Sequence, residues 1–228
     1  MTRSISRVGG LVFLVWFVPM HAFADQDPEV VSVLDSADPE DQTQLIEAIE
    51  RTYSDVSTVS ASFTQVQRSV MGEVEQRGRL QIKRPRMARW EFEGPNSSQM
   101  VTNGSTVWVY TPATQQVIET NSVGQTDGVM QLLDDLGRLE EHFEVTRFER
   151  PDGGYYLVDL QPRTAANYRR IEVVFSPDGY VLHRVLVVDA MDGEIELTFS
   201  DIEYNQEMAD SDFEFVVPEG AQVIRGGL

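Results

Sequence analysis

The 228-residue chain contains no cysteine. That excludes disulfides, thiolate metal sites and a cysteine nucleophile, and it excludes lipid attachment to a cysteine after a leader is removed. Histidine is nearly as scarce, three in all. His142 and His183 are the two that follow the N-terminal segment, and neither stands near a second ligand at zinc spacing. Each reads as a surface or strand residue. There is no G-x-S-x-G elbow, no paired serine, histidine and aspartate order and no G-x-x-x-x-G-K-[ST] phosphate loop. Asp189 to Gly193 (DAMDG) holds only a fragment of a calcium loop and reads as a hairpin turn. Glu91 and Glu93 could be paired for acid–base work, but in a chain with 37 acids they read as a solvated face. The sequons at Asn96 and Asn103 fit turns. The chain is therefore expected to be no enzyme, with no metal and no cofactor.

Positive charge is also in short supply: 18 Lys+Arg against 37 Asp+Glu give a net −19. Two of the arginines, Arg3 and Arg7, precede an apolar run from Val8 to Val18 and an A-x-A signature, Ala22-Phe23-Ala24. This pattern predicts a secretory signal peptide over residues 1–24, cut between Ala24 and Asp25. Its apolar run is shorter than the roughly 20 residues that span a bilayer, and no later run is long enough. Loss of those two arginines takes the net charge from −19 to −21. Such a charge argues against nucleic acid and against stable insertion into anionic membranes. It suits a soluble exported protein, a monomer, whose residues 25–228 form one domain.

Asp38-Pro39 supplies a cap and a proline at the first helical position, with Glu40 and Asp41 in the first turn. Leu45, Ile46, Ile49 and Tyr53 recur on one face, so a helix is expected over about Pro39 to Ser54. Strand signals then dominate. Val59, Ala61 and Phe63 alternate, as do Leu80 and Ile82, then Ala88, Trp90 and Phe92. Asn103-Gly104 between Met100-Val101 and Val107–Tyr110 predicts a type I′ hairpin. Val117 and Ile118 lie in the next strand. Turns at Pro151–Gly154, Ser176–Gly179 and Asp192-Gly193 separate further runs at Tyr155–Leu160, Ile171–Phe175, Val181–Val188, Ile195–Phe199 and Phe213–Val217. One segment interrupts the pattern: Val129, Leu132, Leu133 and Leu136 fall at helical spacing with Met130 beside them, and Gly137 follows as a stop. The expected architecture is mainly β with some α: a curved antiparallel sheet of about ten strands, with two or three short helices covering one face. Val107–Tyr110 and Val181–Val188 are apolar on both phases. That fits either central strands buried on both sides or a sheet that lines a pocket as well as a core.

Thirteen residues break a local rule. Gly78 to Trp90 reads GRLQIKRPRMARW, and Leu80, Ile82 and Arg84 fall at i, i+2 and i+4, on one face of a strand. Two are apolar and the third is an arginine just before Pro85. A guanidinium in phase with a core face is costly unless something accepts its hydrogen bonds, and such misfits concentrate at functional sites.

The order Ala61-Ser62-Phe63-Thr64-Gln65, then Gly78-x-Leu80-x-Ile82-Lys83-Arg84-Pro85 with Trp90, then Asn103-Gly104-x-x-Val107-Trp108-x-Tyr110 resembles the periplasmic outer-membrane lipoprotein carrier family, LolA. Gln115-Gln116-Val117, the Leu132-Leu133 helix and Phe213-x-Phe215-x-x-Pro218-x-Gly220 extend the resemblance over nearly all of the chain after the signal. Two features depart from the family pattern. Ala88 stands where a bulky apolar residue is usual, and Thr126-Asp127-Gly128 replaces a proline-containing turn before the second helix.

The resemblance implies an unclosed β-barrel with a lid of helices over an apolar cavity. It implies a Gram-negative periplasmic carrier that takes acylated lipoproteins from an inner-membrane ABC transporter, LolCDE, and passes them to an outer-membrane receptor, LolB. The receptor is itself a lipoprotein, which the missing cysteine argues against here. Ile49, Tyr53, Leu80, Ile82, Trp90, Phe92, Trp108, Met130, Leu132, Leu133 and Leu136 become candidates for the cavity and lid, although each also fits plain core packing. Arg84, with Pro85, is the candidate latch. Its donors would reach carbonyls at the ends of the lid helices, where orphan acceptors collect; the other reading is a rim arginine reaching solvent or a surface acid. The alternative function is a periplasmic lipoprotein- or peptide-sensing protein of similar fold.

Overall fold

The computed structural model describes residues 39–121, 128–151 and 154–226, with side chains from 42 onward. The expected signal peptide and its cleavage point, the Asp38 cap, Thr126-Asp127 and Asp152-Gly153 lie outside the described residues.

The first helix, α1, runs Pro39–Ser54. Twelve strands follow: β1 (Thr58–Ser69), β2 (Gly72–Lys83), β3 (Met87–Phe92), β4 (Ser98–Asn103), β5 (Thr106–Thr111), β6 (Gln116–Asn121), β7 (Phe143–Glu149), β8 (Tyr156–Pro162), β9 (Tyr168–Phe175), β10 (Leu182–Asp189), β11 (Glu194–Tyr204) and β12 (Gln222–Gly226). Between β6 and β7 stand α2 (Gly128–Asp135), a 3-10 turn (Leu136–Arg138) and the one-turn α3 (Leu139–His142). The strands form one sheet in the order β12-β6-β5-β4-β3-β2-β1-β11-β10-β9-β8-β7. Every pairing is antiparallel except β12 on β6, and β12 and β7 are left as free edges, so the sheet does not close.

Register decides which face is which. Ala61 pairs with Leu80 and Val59 with Ile82; Leu80 then pairs with Trp90 and Ile82 with Ala88. Paired residues share a face, so these six side chains form one apolar surface. The α1 stripe of Leu45, Ile46, Ile49 and Tyr53 and the α2 stripe of Val129, Met130, Leu132 and Leu133 are buried in the same core, together with Leu136 and Leu139. Beside this surface β1 needs Gly78 opposite Phe63. A Cβ there would sit 2.1 Å from the Glu91 carbonyl oxygen and 2.8 Å from the Phe63 ring. The Phe63 ring occupies the freed space edge-on to Trp90 (5.0 Å) and to Phe92 (5.4 Å).

Three expectations need correction. The sheet has twelve strands: β7 and β12 have weak local signals. β7 contains a register shift between Val145 and Arg147, which destroys its alternation, and β12 is specified by a parallel partner far away in sequence. Phe213–Val217 is not a strand. Phe213 closes a 3-10 turn over Asp210–Phe213, and the Arg89 guanidinium donates to the Asp212 carbonyl at 2.8 Å and the Glu214 carbonyl at 3.2 Å, holding the segment without a ladder. The turn near Asn103 is not type I′. A type I′ turn at Asn103-Gly104 needs positive φ at both residues, and only Gly104 has it (90°); the Asn103 side chain accepts from the Ser105 and Thr106 amides. On the outer face of β5, Trp108 and Tyr110 lie against Phe215, and all six residues of the strand are partly buried.

Candidate functional site

Arg84 follows β2, its own amide donating to the Ser57 carbonyl at 2.9 Å. The Arg84–Pro85 peptide is cis. Its guanidinium makes four hydrogen bonds to three main-chain carbonyls. Nη1 donates to Tyr53 O (2.8 Å) and Val56 O (3.1 Å), and Nη2 and Nε both donate to Leu133 O (2.6 and 3.2 Å). Tyr53 lies in the last turn of α1 and Leu133 in the last turn of α2. The final carbonyls of a helix have no intrahelical partner and carry partial negative charge. One planar, rigid cation thus joins the C-terminal ends of two helices to the sheet.

Burial pulls the guanidinium below its ordinary range, and the carboxylates of Asp134 and Asp135 oppose that effect. An arginine stays charged through such a shift. Burial pushes the Asp134 and Asp135 carboxyls up from their usual values, with Arg84 pulling against it in both. Asp135 is paired with Arg138 at 3.2 Å and stands 3.6 Å from His142 Nε2. Asp134 accepts a long bond, 3.4 Å, from the Arg86 amide.

A second anchor holds α1. The Tyr53 hydroxyl donates to the Tyr180 carbonyl (3.1 Å), accepts the Leu182 amide (2.9 Å) and lies 3.1 Å from the Tyr204 hydroxyl. Burial pushes its phenol far above the ordinary range, and neighbouring Tyr204 adds to that. Helix α2 has its own tie, the Tyr168 hydroxyl donating to Gln131 Oε1 at 2.6 Å. Tyr180, Tyr204, Tyr168 and Gln131 carried no signal in the sequence beyond their residue types. Each is a polar group that a buried neighbour had to satisfy.

Between helices and sheet a residual cavity of about 20 Å³ is lined by Tyr53, Leu80, Arg84, Leu133, Leu136 and Tyr204, among others. That is room for about one water molecule. Ile49, Tyr53, Leu80, Ile82, Trp90, Met130, Leu132, Leu133 and Leu136 all lie in the one core that includes this void, and Phe92 packs against it partly buried. Trp108 does not join them. Trp90 pairs with Met100, whereas Trp108 pairs with the next residue, Val101, so its ring points from the opposite face, stacked 6.3 Å from Phe215. Pro85 is exposed in the turn after Arg84. The Trp90 indole N–H is buried without an acceptor among the described residues. No group of three or more metal-ligating side chains occurs among the described residues, and no described helix is long and apolar enough to cross a membrane. In this arrangement α1 and α2 pack over the apolar face of the sheet, and Arg84 hydrogen-bonds the C-terminal ends of both helices.

Comparison with known proteins agrees with this geometry. Residues 54–216 match the family model described as "Outer membrane lipoprotein carrier protein LolA". The chain is 28% identical over 185 residues to an outer-membrane lipoprotein carrier protein of Hahella chejuensis, covering 79% of this chain and 88% of that one. It is 30% identical over 174 residues to the protein of the same description in Azotobacter vinelandii, covering 74% and 82%. In structure it is similar to an uncharacterized conserved protein from Thermus thermophilus, with a TM-score of 0.51, 14% identity and coverage of 82% of this chain and 99% of the other; that likeness speaks for the fold.

Proposed function

The chain belongs to the LolA family of outer membrane lipoprotein carriers, and on that premise we propose that it ferries acylated lipoproteins across the periplasm by opening and closing the cover held by Arg84. The family is periplasmic and its members are carriers, not enzymes. The cargo is a lipoprotein. We further assign residues 1–24 as an export signal removed after Ala24, LolCDE as the donor transporter and LolB as the receptor.

The physical problem of such a carrier is release. Each CH₂ buried contributes about 0.8 kcal/mol, so one chain of about 15 methylenes gains on the order of 12 kcal/mol. Several chains fully buried would never leave. A closed empty state opposes binding, because the affinity observed is the intrinsic one reduced by the fraction of molecules that are open. The observation that carries the reading is the Arg84 guanidinium donating to carbonyls of both α1 and α2 above a void of about 20 Å³. An acyl chain cannot enter that void without separating helices from sheet, and separation breaks those bonds. On delivery the bonds re-form and help expel the cargo. Mass spectrometry of what co-purifies with the protein from the periplasm tests the function. Triacylated proteins are expected; peptides or sugars in their place would overturn it.

A further inference from the structure

On the far side of Arg84 from the apolar void lies an open groove of about 1170 Å³. It runs from the Arg84–Arg86 turn along α2 and the 3-10 turn to the loop between β8 and β9, Ala165–Asn167. Arg84 lines both spaces, so it stands between an apolar void and an open groove of mixed lining. Opening the latch joins them.

The channel differs from the rest of the surface. The chain carries a net −19, yet the charged groups lining the channel are three arginines (Arg84, Arg86, Arg138) and three aspartates (Asp55, Asp134, Asp135), with His142 beside them. A balanced, mixed lining offers donors and acceptors without selecting a ligand by sign. Among the described residues His142 Nε2 is buried without a hydrogen bond, at ion-pair distance from Asp135 (3.6 Å) and Glu141 (3.8 Å).

We infer that this channel holds the polypeptide of the cargo as it leaves the acylated N-terminus. The inference rests on the carrier reading. Acyl chains beneath the lid place the modified residue at the Arg84 opening, and the next residues must pass out through polar surroundings. An extended main chain presents one donor and one acceptor per residue. A channel lined by aspartates, arginines and an imidazole can serve both, and the balance of charge tolerates cargoes of either sign.

The test uses the whole mature protein with a photo-crosslinking residue at exposed Ala166, and as control at exposed Arg79 in the groove on the opposite face of the sheet. The probes are a synthetic triacylated cysteinyl peptide of about ten residues (a length that spans at most about 35 Å) and a triacylated cysteine amide without peptide. Crosslinks from Ala166 should map to the first few residues after the lipidated cysteine, with none from Arg79. Uptake of both probes with no Ala166 crosslink, or with equal crosslinking from Arg79, overturns the channel while leaving the carrier reading intact. Failure to take up the acyl-only probe overturns the carrier reading and the channel with it.

Discussion

Replacing Arg84 by leucine separates a latch from an arginine that only fills the rim. The guanidinium satisfies three carbonyls, Tyr53 O, Val56 O and Leu133 O. Hydrogen bonds to charged groups contribute about 1.5–3 kcal/mol each. The side chain is only half buried, so the low end applies and the set contributes about 4 kcal/mol to closure. Leucine returns about 1.5–2 kcal/mol by burial of its own apolar surface. The net loss is about 2–3 kcal/mol, which is about 30–150-fold in the ratio of closed to open molecules. Three readings follow from that one number. The empty protein melts at lower temperature. Its affinity for an acyl probe rises, because less closure must be undone. Transfer of loaded lipoprotein to the receptor falls, because closure no longer helps expel the chains. Titration of a fluorescent fatty acyl probe measures the second and a reconstituted transfer assay the third. Arg84→Lys keeps the charge but not the planar fork and should fall between. An Arg84→Leu protein present at normal levels, with unchanged probe affinity and normal transfer, would refute the latch. A loss of about 2–3 kcal/mol is small beside the roughly 12 kcal/mol of a buried chain, so incomplete burial of the cargo must supply the rest of the balance.

Tyr53→Phe leaves the buried Leu182 amide without its acceptor and should cost about 1–3 kcal/mol in urea unfolding. The raised Tyr53 phenol gives a pH signature as well. Above the unfolded value of about 10 the unfolded chain has lost a proton that the folded one retains, so stability falls as pH rises from there; the phenylalanine variant should lack that component. Asp134, whose carboxyl is pushed up by burial, acts in the same direction at acid pH. The folded state holds the proton more tightly, so its contribution is most favourable below the unfolded pKa and is lost as pH climbs through the raised one. Asp134→Asn should be more stable than the parent at neutral pH and show a flatter difference in acid denaturation series. Trp108→Ala should lower stability by about 2 kcal/mol, a partly exposed ring being worth less than the 3–5 kcal/mol of a buried one. It should leave acyl-probe affinity unchanged; a lost affinity without lost stability would contradict its placement on the far face.

Much of this was legible before any coordinates. Helical spacing of Leu45, Ile46, Ile49 and Tyr53 delimited α1, and the 128–136 segment declared itself by its period of 3.6 against a background of 2. The resemblance tied both helices to a sheet of the same family. Trp108 sits in Val107–Tyr110, a run apolar on both phases, and a run of that kind does not tell which phase faces the helices. Phe213–Val217 has the alternation of a strand, but it finds Arg89 rather than a ladder.

The Leu80, Ile82 and Arg84 spacing alone determined that a guanidinium would lie in phase with an apolar face, because alternation along a strand is a property of the backbone. The sequence could not say what would accept its protons. The acceptors are the main-chain oxygens of Tyr53, Val56 and Leu133, 31, 28 and 49 residues away, and every residue carries the same carbonyl. Only the packing of two helix ends over the sheet selects those carbonyls, places Arg84 where it lines both the small apolar void and the open groove, and gives one costly arginine the acceptors it needs.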